Sequence, residues 1–275
     1  GRGMLKEALH SSYPALRQAV GSLLSRLCDH DLPEKQWRCW RSTPSHPNLA
    51  YAAFDAYFER LPNAIKEHRG YYEQDRRGYG ERAFHVLWQR LSVEFDIGRF
   101  LEIGVYRGQI LTLVALLQKQ AGKRQRVTGI SPFTSVGDDH SVYPDLDYES
   151  DVRSHFRHFD LADPVLVRAN STDARAEQVV GGTEWDCVYI DGSHDYEAVR
   201  HDWEMCSKAV KDGGLIVLDD AGLYTGFRAL HGYYPFRGHE GPSRVAREAD
   251  RSRFELILQV GHNVVFRKLP APPSR

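Results

Sequence analysis

Up to about Ile97, apolar residues recur every three to four positions; after Arg99 they gather into short runs separated by helical stripes. In the first part, Pro14 follows Ser11-Ser12 and opens a helix whose stripe is Leu16, Val20, Leu23, Leu24 and Leu27. Phe54, Tyr57, Phe58 and Leu61 mark a second helix, and Phe84, Leu87, Trp88, Leu91 and Phe95 a third. Between them, His68 to Gly80 is rich in Tyr, Arg and Gly and reads as a solvated surface loop, with substrate contact through its Tyr and Arg as the alternative. Beyond Arg99, strands are expected at Phe100–Ile103, Arg126–Ile130, Val165–Arg168, Trp185–Ile190 and Leu215–Leu218. Phe254–Val260 and Asn263–Arg267, parted by Gly261-His262, form a closing antiparallel hairpin. Alternating strands and helices predict a doubly wound α/β domain over residues 98–268, preceded by a helical region, 1–97, and followed by a disordered Pro-rich tail, 269–275. Gly1-Arg2-Gly3 ahead of Met4 reads as a cloning remnant.

Two of the expected strands end in acid. Ile190 runs into Asp191-Gly192-Ser193-His194, and Leu218 into Asp219-Asp220. Between them Tyr196, Val199, Trp203, Cys206 and Val210 fall at helical spacing, so the unit is strand, helix, strand. Such a crossover is right-handed and makes the strands parallel, with both carboxyl ends on one side of the sheet. Neighbouring parallel strands lie about 4.8 Å apart, close enough for side chains past their ends to share one ion. Asp191, Asp219 and Asp220 are therefore expected to converge as oxygen ligands, suited to Mg²⁺ or another oxygen-preferring divalent cation, with His194 one turn away. An Asp after a strand also serves as a turn former or helix cap, and that reading applies to each acid taken singly.

The first strand enters Glu102-Ile103-Gly104-Val105-Tyr106-Arg107-Gly108 before an apolar helix from Ile110 to Leu117. A glycine turn at this place in an open α/β sheet lets backbone approach a ligand. Neither a dinucleotide fingerprint nor a P-loop is present, since Tyr106 holds the middle glycine position and no Gly-Lys-Ser/Thr follows. This turn, together with Tyr189 to Glu197 and Gly213 to Asp220, resembles the class I S-adenosylmethionine-dependent methyltransferases, and most of all their macrocin-type sugar O-methyltransferase branch. The resemblance covers Phe100 to Lys268 and implies a Rossmann-like seven-stranded sheet. It implies S-adenosylmethionine held by Glu102, Gly104, Tyr106, Gly108, Ser131, Ser171 and Asp191, a metal on Asp191, Asp219 and Asp220, and His194 as base, with Asp195 the competing one. The family often carries a ribose-binding acid after the second strand, where this chain has Ser131-Pro132-Phe133; the acidic stretch from Asp138 to Asp147 reads as a solvated loop, with a substitute for that acid as the alternative. Near the third strand's end, Asn170, Ser171 and Asp173 match the family's adenine contacts.

Charge narrows the partners. Lys plus Arg number 36 against 37 Asp plus Glu, so no strong field favours nucleic acid, and no apolar run is long enough to span a bilayer. A small-molecule or glycan acceptor is expected, as is either of two roles for the N-terminal helices, covering the active site or forming the interface of a homo-oligomer. Cys28, Cys39, Cys187 and Cys206 show no CxxC pairing, and Cys187 and Cys206 sit on apolar faces, consistent with a reducing cytoplasmic setting. The aromatics Tyr224, Phe227, His231, Tyr233, Tyr234 and Phe236 leave the acidic edge directly and read equally as an acceptor-stacking lid or as packing against the hairpin. The reading is a metal-dependent sugar O-methyltransferase of natural-product or glycan biosynthesis. Its alternatives are a catechol-like diol methyltransferase and a catalytically silent domain that binds a partner. A metal oxygenase is disfavoured, because no two-histidine, one-carboxylate set is evident at the edge.

Overall fold

The computed structural model describes residues 47–135, 143–227 and 236–271. The Leu16 to Leu27 stripe, Cys28, Cys39, Asp138 to His140, the trio His231, Tyr233 and Tyr234, and the tail beyond Ala271 lie outside them.

Helix α1 (Pro47–Tyr57) runs into a 3₁₀ turn at Phe58–Arg60, α2 (Asn63–Glu73) into another at Gln74–Arg76, and α3 (Arg82–Glu94) leads to β1 (Phe100–Ile103). Strand and helix then alternate through α4 (Gln109–Gln120), β2 (Val127–Ser131), α5 (Tyr148–His158), β3 (Val165–Arg168), α6 (Ala174–Gly181), β4 (Trp185–Ile190), α7 (Tyr196–Ala209) and β5 (Val210–Leu218). Helix α8 (Glu240–Glu248) precedes the hairpin of β6 (Phe254–Val260) and β7 (Asn263–Lys268). The seven strands form one sheet in the order β3-β2-β1-β4-β5-β7-β6, parallel through β5 and antiparallel at β7 and β6. The expected Rossmann-like sheet with its antiparallel hairpin and preceding helices is thus observed. The last strand lies inside the sheet, between β5 and β6, pairing Leu218 with Val264. That insertion carries the hairpin turn back to the acidic end of β5.

Side chains alternate across the sheet with the two-residue strand period. Phe100, Tyr189 and Val217 face one core with α1, α3, α4 and α5; Leu101, Ile103, Val188 and Ile216 face the other with α6, α7 and α8. Cys187 and Cys206 are both fully buried, as their apolar positions imply. Trp88 of α3 sets its ring edge-on to Phe100 and Tyr189, at 5.4 and 5.2 Å, and so anchors the helical layer on the sheet.

The solvated loop expected from His68 to Gly80 is corrected. Its first half is α2, and His68 and Tyr72 are fully buried with Ile65. The face recurs at helical spacing, but two of its three members are His and Tyr, which a binary pattern counts as polar. Their polar atoms are satisfied internally. His68 Nε2 lies 2.8 Å from Thr112 Oγ1 and its Nδ1 3.3 Å from His85 Nε2; the Tyr72 hydroxyl donates to Gly108 O at 3.2 Å and meets His155 Nδ1 at the same distance. His155 in turn reaches Asp151, which grips Arg107 through two hydrogen bonds of 2.7 and 3.1 Å. This chain ties α2 and α3 to the glycine turn.

Burial pushes His68 well below its ordinary value and His85 down to about 4. A histidine held neutral in the fold binds a proton more readily once unfolded, so its stabilising effect is complete above the unfolded value near 6.5 and is lost as pH falls toward 4. Denaturant titration between pH 7 and pH 5 should therefore show unfolding free energy falling by about 2 kcal/mol for His85 alone, more with His68, and the fall should shrink in His85→Gln. A flat profile over that window would mean that the pair is not held neutral.

Candidate active site

The sheet brings the acids together because β4 and β5 are neighbours in register, with Ile190 opposite Leu218. Asp191 N–H donates to Ile103 O at 2.8 Å and Asp219 N–H to Ile190 O at 3.1 Å, so both residues continue the ladder past the strand ends. The Asp191 and Asp219 side chains hydrogen-bond each other. Two carboxylates in contact require a shared proton or a cation. Burial, then the charges of Asp219 and Asp220, push the Asp191 carboxyl well above the usual range. Burial works the same way on Asp219, but the charge and hydrogen bond of His262 overcome it and hold that group below its ordinary value. With no cation bound, the shared proton belongs to Asp191.

His262 is the residue that sequence reading missed. It sits in the β6–β7 turn, where strand insertion sets its Nδ1 3.0 Å from Asp219 Oδ1 and 3.2 Å from Asp220 Oδ1. Asn263 adds a 2.7 Å bond from Nδ2 to the same Asp219 oxygen. Burial lowers the His262 value, yet the Asp219 and Asp220 charges bring it out above normal. Asp219, Asp220 and His262 place ligand atoms within 4.8 Å of one another, with Asp191 against Asp219. Two carboxylates and one imidazole thus share one point at the strand edge, a donor set that suits a divalent cation, and Asp191 adjoins it through Asp219 without being part of that group.

Asp220 has a left-handed backbone, φ 54°, which turns its side chain out of the strand line. Its Oδ1 faces His262, while Oδ2 lies 3.0 Å from His194 Nε2 and 3.7 Å from His239 Nε2. The His194 and His239 rings stack at 3.8 Å. His194, Asp220 and His239 therefore make a two-histidine, one-carboxylate set, which corrects the expectation that none exists at this edge. The signal was hidden because His239 lies in another segment, 45 residues from His194 along the chain. Asp195, the competing base, is spoken for: it caps α7 by accepting from the N–H groups of Glu197 and Ala198.

On the other side of Asp191 is the glycine turn. Gly104 has φ 89°, and a Cβ there would run into the Asp191 carbonyl oxygen; Gly108 has φ 82° and opens α4. Glu102 is buried on the otherwise apolar face shared with Phe100. Burial raises its carboxyl well above normal although the Leu111 N–H bonds it, and its Oε2 has no partner among the described residues. Buried acceptors need a donor, so an orphaned oxygen beside a glycine turn fits a cationic group supplied by a ligand. Tyr106, at φ 46°, is half-buried between Tyr79 and Tyr148, and its hydroxyl donates to Arg76 O.

Ser131 ends β2, beside the buried Phe133. Arg168 packs there too, donating to Phe133 O and pairing with Glu149. Of the acidic stretch, Asp147 caps α5, while Asp145 lines a cleft of about 680 Å³ with Arg107 and Tyr143. Asp173 accepts from Asn170 N, and Ser171 faces the buried carboxyl of Asp202 on α7. Of the aromatic segment, Phe227 is core and packs on Tyr51, whereas Phe236 is exposed and sets its ring 5.2 Å from both His239 and His262.

Residues 101–221, from β1 to just past Asp220, match the family model of a methyltransferase domain. An uncharacterized protein of Acanthamoeba polyphaga mimivirus is 25% identical over 203 residues, 64% of this chain and 86% of that protein. Among solved structures, the O-methyltransferase NovP superposes with a TM-score of 0.54 at 18% identity, covering 78% of this chain and 98% of that one. The SAH-bound methyltransferase PaMTH1 of Podospora anserina gives 0.53 at 14% identity, over 78% and 93%. These likenesses are of fold. Among the described residues no helix is long and apolar enough to cross a membrane. The family match thus spans the glycine turn and both acidic strand ends, on a sheet of this order.

Proposed function

We propose that the protein is a divalent-metal-dependent O-methyltransferase that transfers the methyl group of S-adenosylmethionine to a sugar hydroxyl, in a natural product or a glycan. The observation that carries this reading is the contact of Asp191 with Asp219, with Asp220 and His194 adjoining. An alcohol acceptor must lose a tightly held proton during transfer, and an edge that pairs cation-binding carboxylates with an imidazole meets that need.

The residues divide the work. Glu102, Gly104, Tyr106 and Gly108 would hold the methyl donor, with Ser131 and Ser171 on its nucleoside side; the orphaned Glu102 oxygen suits the donor's ammonium group. The donor supplies a sulfonium methyl that is already activated, so the protein's task is alignment and deprotonation. Asp191, Asp219 and Asp220 would hold the cation, which when bound supplies Lewis acidity to an acceptor hydroxyl and fixes its position. His194 donates Nε2–H to Asp220, which orients the imidazole and leaves Nδ1 as the basic nitrogen that takes the acceptor's proton. Phe236, exposed beside the two histidines, offers a flat apolar wall for a sugar ring.

Asp191→Asn should abolish methyl transfer while leaving the melting temperature unchanged or raised, since it removes the buried charge conflict with Asp219. Chelation of divalent ions should do the same reversibly. Full activity in metal-free buffer would end the metal reading.

His194→Ala should lower kcat by about 10²- to 10⁴-fold with little change in KM for the acceptor. A kcat within about threefold of wild type at neutral pH would assign the base to another group.

A further inference from the structure

We propose that His194, His239 and Asp220 form a second cation position on the outer rim of the site, selective for a zinc-like transition ion, and that its filling switches the enzyme off. The cation position is independent of the reading above; the inhibition rests on His194 being the base.

The position is built by backbone packing. The His239 N–H donates to Asp220 O at 2.8 Å, and the residue before it, Gly238, has φ 111° with no room for a Cβ against the Asp220 backbone. Two residues later, a Cβ on Gly241 would run into the His194 carbonyl oxygen. Glycines on both sides of His239 thus let the start of α8 press on the β5 end and on the loop after β4 together. That packing is what stacks His239 on His194 and aims both Nε2 atoms at one carboxylate oxygen. Both side chains are more than a third exposed, at 38% and 39%, so an ion can enter from solvent and a ring can tilt to bring its lone pair onto the ion.

Donor chemistry separates this position from the inner one. Two imidazoles and a carboxylate suit Zn²⁺, Co²⁺ or Ni²⁺, whereas the carboxylates around Asp191 suit Mg²⁺. Asp220 serves both, with Oδ1 turned inward to His262 and Oδ2 outward to the stacked pair. An imidazole coordinated through Nε2 keeps its proton on Nδ1, so a His194 bound in this way cannot accept the acceptor's proton. No bond is made or broken beyond coordination.

The test is calorimetric titration of the purified full chain with ZnCl₂ in a millimolar excess of Mg²⁺, with Co²⁺ visible absorption as a second readout of nitrogen ligation. One equivalent of Zn²⁺ should bind despite the Mg²⁺, with affinity weakened about tenfold or more by His239→Ala or His194→Ala and unaltered by Asp191→Asn. Methyl transfer should fall in step with Zn²⁺ occupancy. Should His239→Ala not fold, His239→Gln serves in its place, a retained melting temperature showing the variant to be intact. No Zn²⁺ uptake under Mg²⁺, or uptake equal in wild type and the His239 variant, would overturn the proposal. Because binding is read without turnover, Zn²⁺ binding by a chain that transfers no methyl group would leave the cation position standing and remove only the functional reading.

Discussion

Two carboxylates, Asp191 and Asp219, are forced into contact by the register of adjacent parallel strands. Left alone, that contact would repel, and the surrounding structure is arranged to make it bearable. His262 and Asn263 donate to Asp219, Asp191 keeps the shared proton, and Asp220 leaves the strand line through a left-handed turn. A divalent ion relieves the same conflict more completely, since it attracts both acids at once. The cluster therefore meets the charge condition for binding a cation, on which the proposed function rests.

Around it, backbone closeness does the positioning. Gly104 lets the turn after β1 lie against the Asp191 carbonyl, so a ligand on the glycine turn and an acceptor at the acids would be neighbours. Gly238 and Gly241 do likewise for His239. The N-terminal helices contribute from behind, through Trp88 on the sheet and the buried chain from His68 to Asp151 and Arg107, which fixes the carbonyls of Arg107 and Gly108. That polar chain is satisfied along its length, which is why such groups can be buried without destabilising the layer.

Much of this could be read from the chain. Strand identities were legible because buried parallel strands give short apolar runs, and Phe100–Ile103, Val165–Arg168 and Trp185–Ile190 fall where expected. The convergence of the acids followed from one crossover rule applied to Asp191 and Asp219. Three things were not legible, each for a physical reason. Helix α2 buries His68 and Tyr72, whose polarity disguises an interior face. His262 was visible only as a turn residue, because the pattern announces a hairpin without saying which of its strands joins β5. His239 reaches His194 through glycine contacts between distant segments, and no local spacing records them.

The most direct measurement of the central claim is calorimetric titration of the protein with S-adenosylhomocysteine, with and without Mg²⁺. The account predicts binding in the micromolar range under both conditions, since Glu102 and the glycine turn hold the ligand without needing the cation. Absence of binding under either condition would contradict it, and would leave a methyltransferase fold whose acidic edge serves something other than methyl transfer.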